Sequence, residues 1–89
     1  EKVKLLRDTV SSLRLDSVLS VGFSLSRSKA AEAVTSGKVQ VNWADWQKPD
    51  RQVVQGDVLT LRGLGKCVLE EVGNQTKKGR VFITVKRYL

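Results

Sequence analysis

The sequence predicts an α+β fold. Apolar residues recur at helical spacing in two short runs between Arg14 and Gly37, the period becomes two from Val39 onward, and glycines separate the alternating runs. Two short helices followed by a succession of strands lack the strand–helix alternation of a parallel α/β sheet. At 89 residues the chain is one domain, near the size at which a single core supports folding without staples.

Residues 1–13 alternate loosely, with Val3 and Leu5 against Lys2 and Lys4, and Thr9 and Val10 favour extended backbone, so a strand is expected. From Arg14 the period changes: Leu15, Val18 and Leu19 fall at i, i+3 and i+4 and form one face of a helix. Gly22, in Val21-Gly22-Phe23, is read as the turn that ends it. Ser26 is a suitable N-cap for a second helix, Leu25 is placed to staple against Ala30, and Ala30, Ala33 and Val34 make a stripe of small residues for close packing. Gly37 stops that helix as a left-handed C′ residue.

Beyond it Val39 and Val41 face one way and Lys38, Gln40 and Asn42 the other. Residues 43–50 hold the only proline, Pro49, and read as a turn region, with a strand expected from about Gln52. Gly56-Asp57 is a tight turn into a strand that opposes Val58 and Thr60 to Leu59 and Leu61, and Gly63 and Gly65 break it. The last third reads as a hairpin: a strand over 66–72, a polar loop over 73–79, and a strand from Arg80 with Val81, Ile83 and Val85 on one face.

Composition narrows the function. Sixteen Lys and Arg against nine Asp and Glu give a formal charge of +7. That surplus in so small a domain points to a nucleic-acid or anionic-surface partner, with a solvated basic surface as the plainer reading. A single cysteine, Cys67, and no histidine argue against a disulfide framework and a zinc cluster, and fit a reducing compartment. No apolar run is long enough to span a bilayer and no signal-peptide pattern opens the chain. Since it begins at Glu1, we expect a piece of a longer protein or a processed one.

Catalysis is disfavoured. Without histidine a general acid or base would have to be a carboxylate, lysine or tyrosine, the acids show no paired spacing, and Cys67 has no partner. There is no phosphate-binding loop or dinucleotide fingerprint, and neither a cofactor nor a small-molecule substrate is expected.

Binding has clearer candidates. A helix N-terminus offers unpaired N–H groups and a partial positive charge, so Ser26, Arg27, Ser28 and Lys29 form a phosphate site. Arg27 is the strongest, because a guanidinium grips a phosphate or base edge with two hydrogen bonds; the competing role is an ion pair to Asp16 or Glu32. Arg14 begins a helix, an unfavourable place for a cation, and either faces a ligand or pairs with Asp16 or Asp57. Lys77, Lys78 and Arg80 add three cations between two strands, as a solvated run or as a second phosphate-tracking patch.

Five segments in order carry a resemblance: Arg14-Leu15-Asp16, Leu19, Ser26-Arg27-Ser28-Lys29-Ala30, Gly37-Lys38-Val39-Gln40-Val41-Asn42 and Gly56-Asp57-Val58. Together they resemble the S4 RNA-binding domain of ribosomal proteins, pseudouridine synthases and tyrosyl-tRNA synthetases. Ser12-Leu13, Gly63-Leu64-Gly65-Lys66 and Thr76-Lys77-Lys78-Gly79-Arg80 are similar to the C-terminal region of the YlmH-like family, whose photosynthetic members are called photosystem II S4 domain proteins.

The resemblance implies an S4-like (αL) fold, two short packed helices on a small, mostly antiparallel sheet, with residues 1–13 as an N-terminal extension, 14–62 as the RNA-binding core and 63–89 as a hairpin extension of the same domain. It implies a monomer that binds structured RNA, ribosomal or transfer, without catalysis, in the cytoplasm or plastid stroma. The other class of reading is a protein-interaction or anionic-membrane-surface module linked to photosystem assembly.

The resemblance also extends the RNA surface over Lys38, Gln40 and Asn42, although Asn42 suits an Asx turn as well. Trp43 stands where the family pattern has glycine, which argues against a tight two-residue turn. Its ring, beside Lys38, Lys48 and Arg51, either stacks on an unpaired base or packs on the protein. Trp46 takes an apolar core position of the pattern and is expected to be buried.

Overall fold

In a computed structural model, which describes residues 2–89 and so leaves Glu1 of the expected first strand outside, the chain forms eight elements. They are β1 (Val3–Val10), α1 (Leu15–Phe23), α2 (Arg27–Thr35), β2 (Val39–Val41), β3 (Ala44–Asp45), β4 (Val58–Leu61), β5 (Gly65–Gln75) and β6 (Val81–Tyr88). The strands make one six-stranded sheet in the order β1-β6-β5-β4-β2-β3, every pair antiparallel. Both helices lie on one face of it. Two helices on an antiparallel sheet is the α+β architecture expected from the change of period at Arg14.

The core is the seam between helices and sheet. Leu15, Val18 and Leu19 of α1 and Ala30 and Val34 of α2 are fully buried against Val39, Leu59, Cys67, Leu69 and Val85. The i, i+3, i+4 spacing and the strand alternation therefore select the residues that lose water. Gly22 does not end α1 as the sequence suggested. The helix runs through it to Phe23, because a Cβ there would lie 2.8 Å from Cys67 Sγ and 3.0 Å from Val85 Cγ1. The glycine lets helix and sheet approach, and the turn falls at Ser24, whose φ is 54°.

The ends of α2 follow the expected chemistry. Ser26 Oγ accepts a hydrogen bond from the Lys29 N–H at 3.2 Å. At the other end Gly37 takes φ 82°, its N–H donates to Val34 O, and the Lys38 N–H donates to Ala33 O, both at 3.1 Å. That pair of bonds is a Schellman motif, which satisfies two otherwise orphaned carbonyls.

The connections depart from expectation in four places. First, Ala44 and Asp45 pair with β2, so part of the predicted turn region is a strand. Second, Asn42 and Trp43 make a tight two-residue turn after all, at φ 51° and 66°, the geometry of a type I′ hairpin turn. The reason is the Asn42 amide, which donates to Asp57 Oδ1 at 3.0 Å and accepts from the Val58 N–H at 2.9 Å, fixing the turn from outside. Third, no strand starts at Gln52; that residue makes only an isolated bridge to Arg14. Fourth, β5 continues through Gly73 and Asn74 to Gln75, with register shifts that absorb the weak strand formers, and the loop shrinks to 76–80. Trp46 is half-buried against the core, not fully buried, with its Nε1–H donated to Lys48 O at 3.1 Å.

Candidate nucleic-acid interface

The N-terminus of α2 is built around one acid. Asp16, in the first turn of α1, is only 2% exposed. It accepts two hydrogen bonds from Arg14, Nε to Oδ1 and Nη2 to Oδ2, each 3.0 Å long, and Arg27 Nε lies 3.5 Å from Oδ2. The ion pairs open to Arg14 and Arg27 are thus realised with Asp16, while Asp57 serves Asn42 and the Val54 N–H. Pairing does not withdraw the arginines from solvent: their side chains remain 34% and 53% exposed. The Arg27 and Ser28 N–H groups precede the first intrahelical bond and point out of α2.

Electrostatics agree with that geometry. Burial alone would raise the Asp16 carboxyl, but the hydrogen bonds and charge of Arg14, with the charge of Arg27 and a backbone bond at Ser17, hold it below the ordinary carboxylate value. The hydrogen bonds to Asp16 in turn raise Arg14 above its own. Asp16 also supplies the negative charge that a helix N-terminus favours, which offsets the cation at the first helix cap.

The tail reaches the same place. Thr76 organises the 76–80 loop, its Oγ1 accepting from the Lys78 and Arg80 N–H groups at 3.2 and 3.1 Å. Arg80 is anchored on β1 by Nε to Thr9 Oγ1 at 2.9 Å and Nη2 to Thr9 O at 2.8 Å. So held, Arg80 lines with Arg27 a polar cleft of about 240 Å³ whose other walls include Ser11, Ser17, Ser20 and Asp8. Lys77 and Lys78 are exposed on the loop.

A second group gathers on the other side of α2. Lys29 and Lys38 line a cleft of about 250 Å³ against Leu25, Leu61, Leu64 and Arg62. Arg62 was not among the expected residues. It lies there because β2 pairs with β4, so that its N–H donates to Lys38 O at 2.9 Å. Only the strand order could have revealed it, since Arg62 is otherwise one cation beside a turn glycine.

Gln40 shares a hollow with Lys38 and Arg62, whereas the remaining expected residues stand apart from both groups. Gln40 donates its amide to Asp45 Oδ1 at 3.2 Å, and both ends of the Asn42 amide are committed within the chain. Arg51 stacks on Trp46, 4.1 Å from the ring centroid, rather than on Trp43. Trp43 projects from its turn 67% exposed, and the Lys48 side chain is exposed.

Two comparisons with known proteins bear on this arrangement. The family model for the S4 domain matches residues 13–59, from the residue before Arg14 into β4. The chain is also 41% identical over 85 residues to the ribosome-associated protein quality control protein P2 of Bacillus subtilis. That alignment covers 96% of this chain and 33% of the relative, so the chain spans about a third of the relative's length.

Proposed function

The chain belongs to the S4 domain family, and on that premise we propose that it binds structured RNA, ribosomal or transfer, through the helix side of the fold, without chemistry of its own. The carrying observation is the pair of anchored guanidiniums. Arg27, held by buried Asp16 at a helix N-terminus, and Arg80, held by Thr9, line one polar cleft. A phosphate there meets two preoriented cations and free helix N–H groups. Lys29, Lys38 and Arg62 extend the positive surface around α2, and Lys77 and Lys78 extend it beyond the cleft. A surface of this kind reads shape and backbone rather than sequence.

The association of the Bacillus relative with ribosomes makes a ribosomal context the natural setting, with this domain, acting as a monomer, delivering a larger protein to RNA. Among the described residues no helix is long and apolar enough to cross a membrane. The test is binding of a ribosomal RNA hairpin and of a transfer RNA by titration at several salt concentrations. Contact with about five phosphates predicts a slope of log affinity on log salt of about −3.5 to −4.5. Arg27→Ala with Lys29→Ala should weaken binding at least about tenfold with little change in melting temperature. Unchanged affinity with lost stability would mean that the two cations serve the fold alone. Equal binding to anionic vesicles would favour the membrane-surface reading.

A further inference from the structure

The helices cover one face of the sheet and leave the other open. The strand register defines what stands there: Val3, Leu5 and Arg7 of β1 lie opposite Tyr88, Lys86 and Thr84 of β6, and Lys86 in turn lies opposite Val68 of β5. Their neighbours Ile83 and Val85 point the other way, into the core. On this face Phe82 is 52% exposed, Leu5 47% and Val3 40%.

The open face combines aromatic rings with unneutralised cations. Lys66 Nζ lies 4.3 Å and Lys86 Nζ 5.7 Å from the centroid of the Tyr88 ring. Phe82 forms one wall of a hollow of about 160 Å³ that Arg7, Glu71, Gly73 and Thr84 complete. Among the described residues none of Arg7, Lys66, Lys86 and Glu71 is in an ion pair. Phe82 and Tyr88 lie six residues apart on one strand, about 20 Å.

We propose that this open face is a second nucleic-acid surface, which takes an unpaired base of a single-stranded RNA segment on Phe82 while Arg7 and the two lysines gathered on the Tyr88 ring, Lys66 and Lys86, meet its phosphates. An apolar protein partner would meet three unpaired cations here and would have to desolvate them. A polyanion with flat apolar faces satisfies both the exposed Phe82 ring and the cations, and a sheet bearing an exposed aromatic is a general platform for splayed bases. In the hollow at Phe82, the Glu71 carboxylate is placed to accept from the amino or imino group of a base, and Arg7 to donate to its carbonyl. The inference rests on the RNA-binding reading only for the chain that supplies the bases; the face lies across the sheet from the helices and meets the Arg27 cleft only at its edge, where Thr9, the cross-strand neighbour of Phe82, anchors Arg80.

The test is fluorescence-anisotropy titration of the 89-residue chain with labelled octamers of adenosine and of uridine, alongside the structured hairpin. Phe82→Ala should weaken octamer binding about tenfold, and Phe82→Tyr should retain it. Both should leave hairpin binding and the melting temperature near wild type, since Phe82 is half exposed. Arg27→Ala with Lys29→Ala should do the reverse. Hairpin binding with no octamer binding would overturn the second surface and spare the proposed function; octamer binding that depends on Arg27 and not on Phe82 would overturn it too. A concentration-dependent dimer dissolved by Phe82→Ala would assign the face to a second copy of the chain and refute the RNA reading.

Discussion

Removing the charge of Asp16 is the most informative perturbation of the fold. Asp16→Asn keeps the shape of a side chain that is 2% exposed, but sets an amide NH2 beside two guanidiniums. Removing one partner of a deeply buried ion pair costs about 3 to 5 kcal/mol. Both arginines are a third or more exposed and regain water when released, so the expected loss is smaller, about 2 kcal/mol, within the range for hydrogen bonds to charged groups. In a domain of this size that lowers the melting temperature by about 8 to 16 °C. Circular dichroism melts from pH 7 to pH 2.5 would read both the size of the effect and its origin. Folding lowers the Asp16 carboxyl, so as pH falls the unfolded chain takes up that proton more readily than the folded one. Its contribution is full above the unfolded value, about 3.9, and is lost as pH falls through the folded value. The gap between wild type and variant should therefore be widest near neutrality and close below about pH 4. Equal melting temperatures at pH 7, or a gap that persists undiminished at pH 2.5, would refute the assignment of this stabilisation to the Asp16 charge.

Other substitutions test other joints of the structure. Gly22→Ala should lower the melting temperature, because overpacking costs about 1 to 3 kcal/mol and outweighs the gain of about 1 kcal/mol in helix propensity; adding Cys67→Ala should recover most of the loss. Burial pushes the Cys67 thiol up to about 12, so at pH 8 a maleimide should label it only at the rate of unfolding, and fast labelling of the native chain would contradict its position in the core. Trp43→Gly relieves a left-handed tryptophan and should leave stability unchanged or raise it by up to about 1 kcal/mol; a fall in the denaturant midpoint would show that the ring packs on the protein.

The elements that the sequence made legible are those fixed by local periodicity and capping. Leu15, Val18, Leu19, Ala30 and Val34 announced their helices because burial on one side of a helix leaves a spacing, and Ser26 and Gly37 bounded the second because cap chemistry is local. What escaped depended on contacts distant along the chain. Gly22 reads as a breaker unless the Cys67 strand is known to lie beneath it. Asn42-Trp43 reads as a poor turn unless Asp57 and Val58 are known to hold the amide. The candidate interface divides the same way: Arg27 stands out as a candidate from its place at a helix start, whereas Arg62 joins Lys38 only through the pairing of β2 with β4.

The position of Arg14 and Arg27 gives that interface its physical logic. Cations at the starts of α1 and α2 oppose the helix dipoles, and nothing local to either helix compensates them except the first-turn acid Asp16. One buried carboxylate shared between two guanidiniums leaves the site short of negative charge by design of its geometry: it fixes the side chains without neutralising both. Arg80 is fixed by neutral acceptors on Thr9 and keeps its whole charge. On the proposed function, an RNA phosphate entering the cleft supplies the missing charge, meets the positive end of α2, and finds rotamers already ordered during folding, so that little side-chain entropy is lost on binding. Asp16 stabilises the free domain, and on that reading the positive charge it leaves over is met once an anion arrives, which is what a binding site requires and a purely structural ion pair does not.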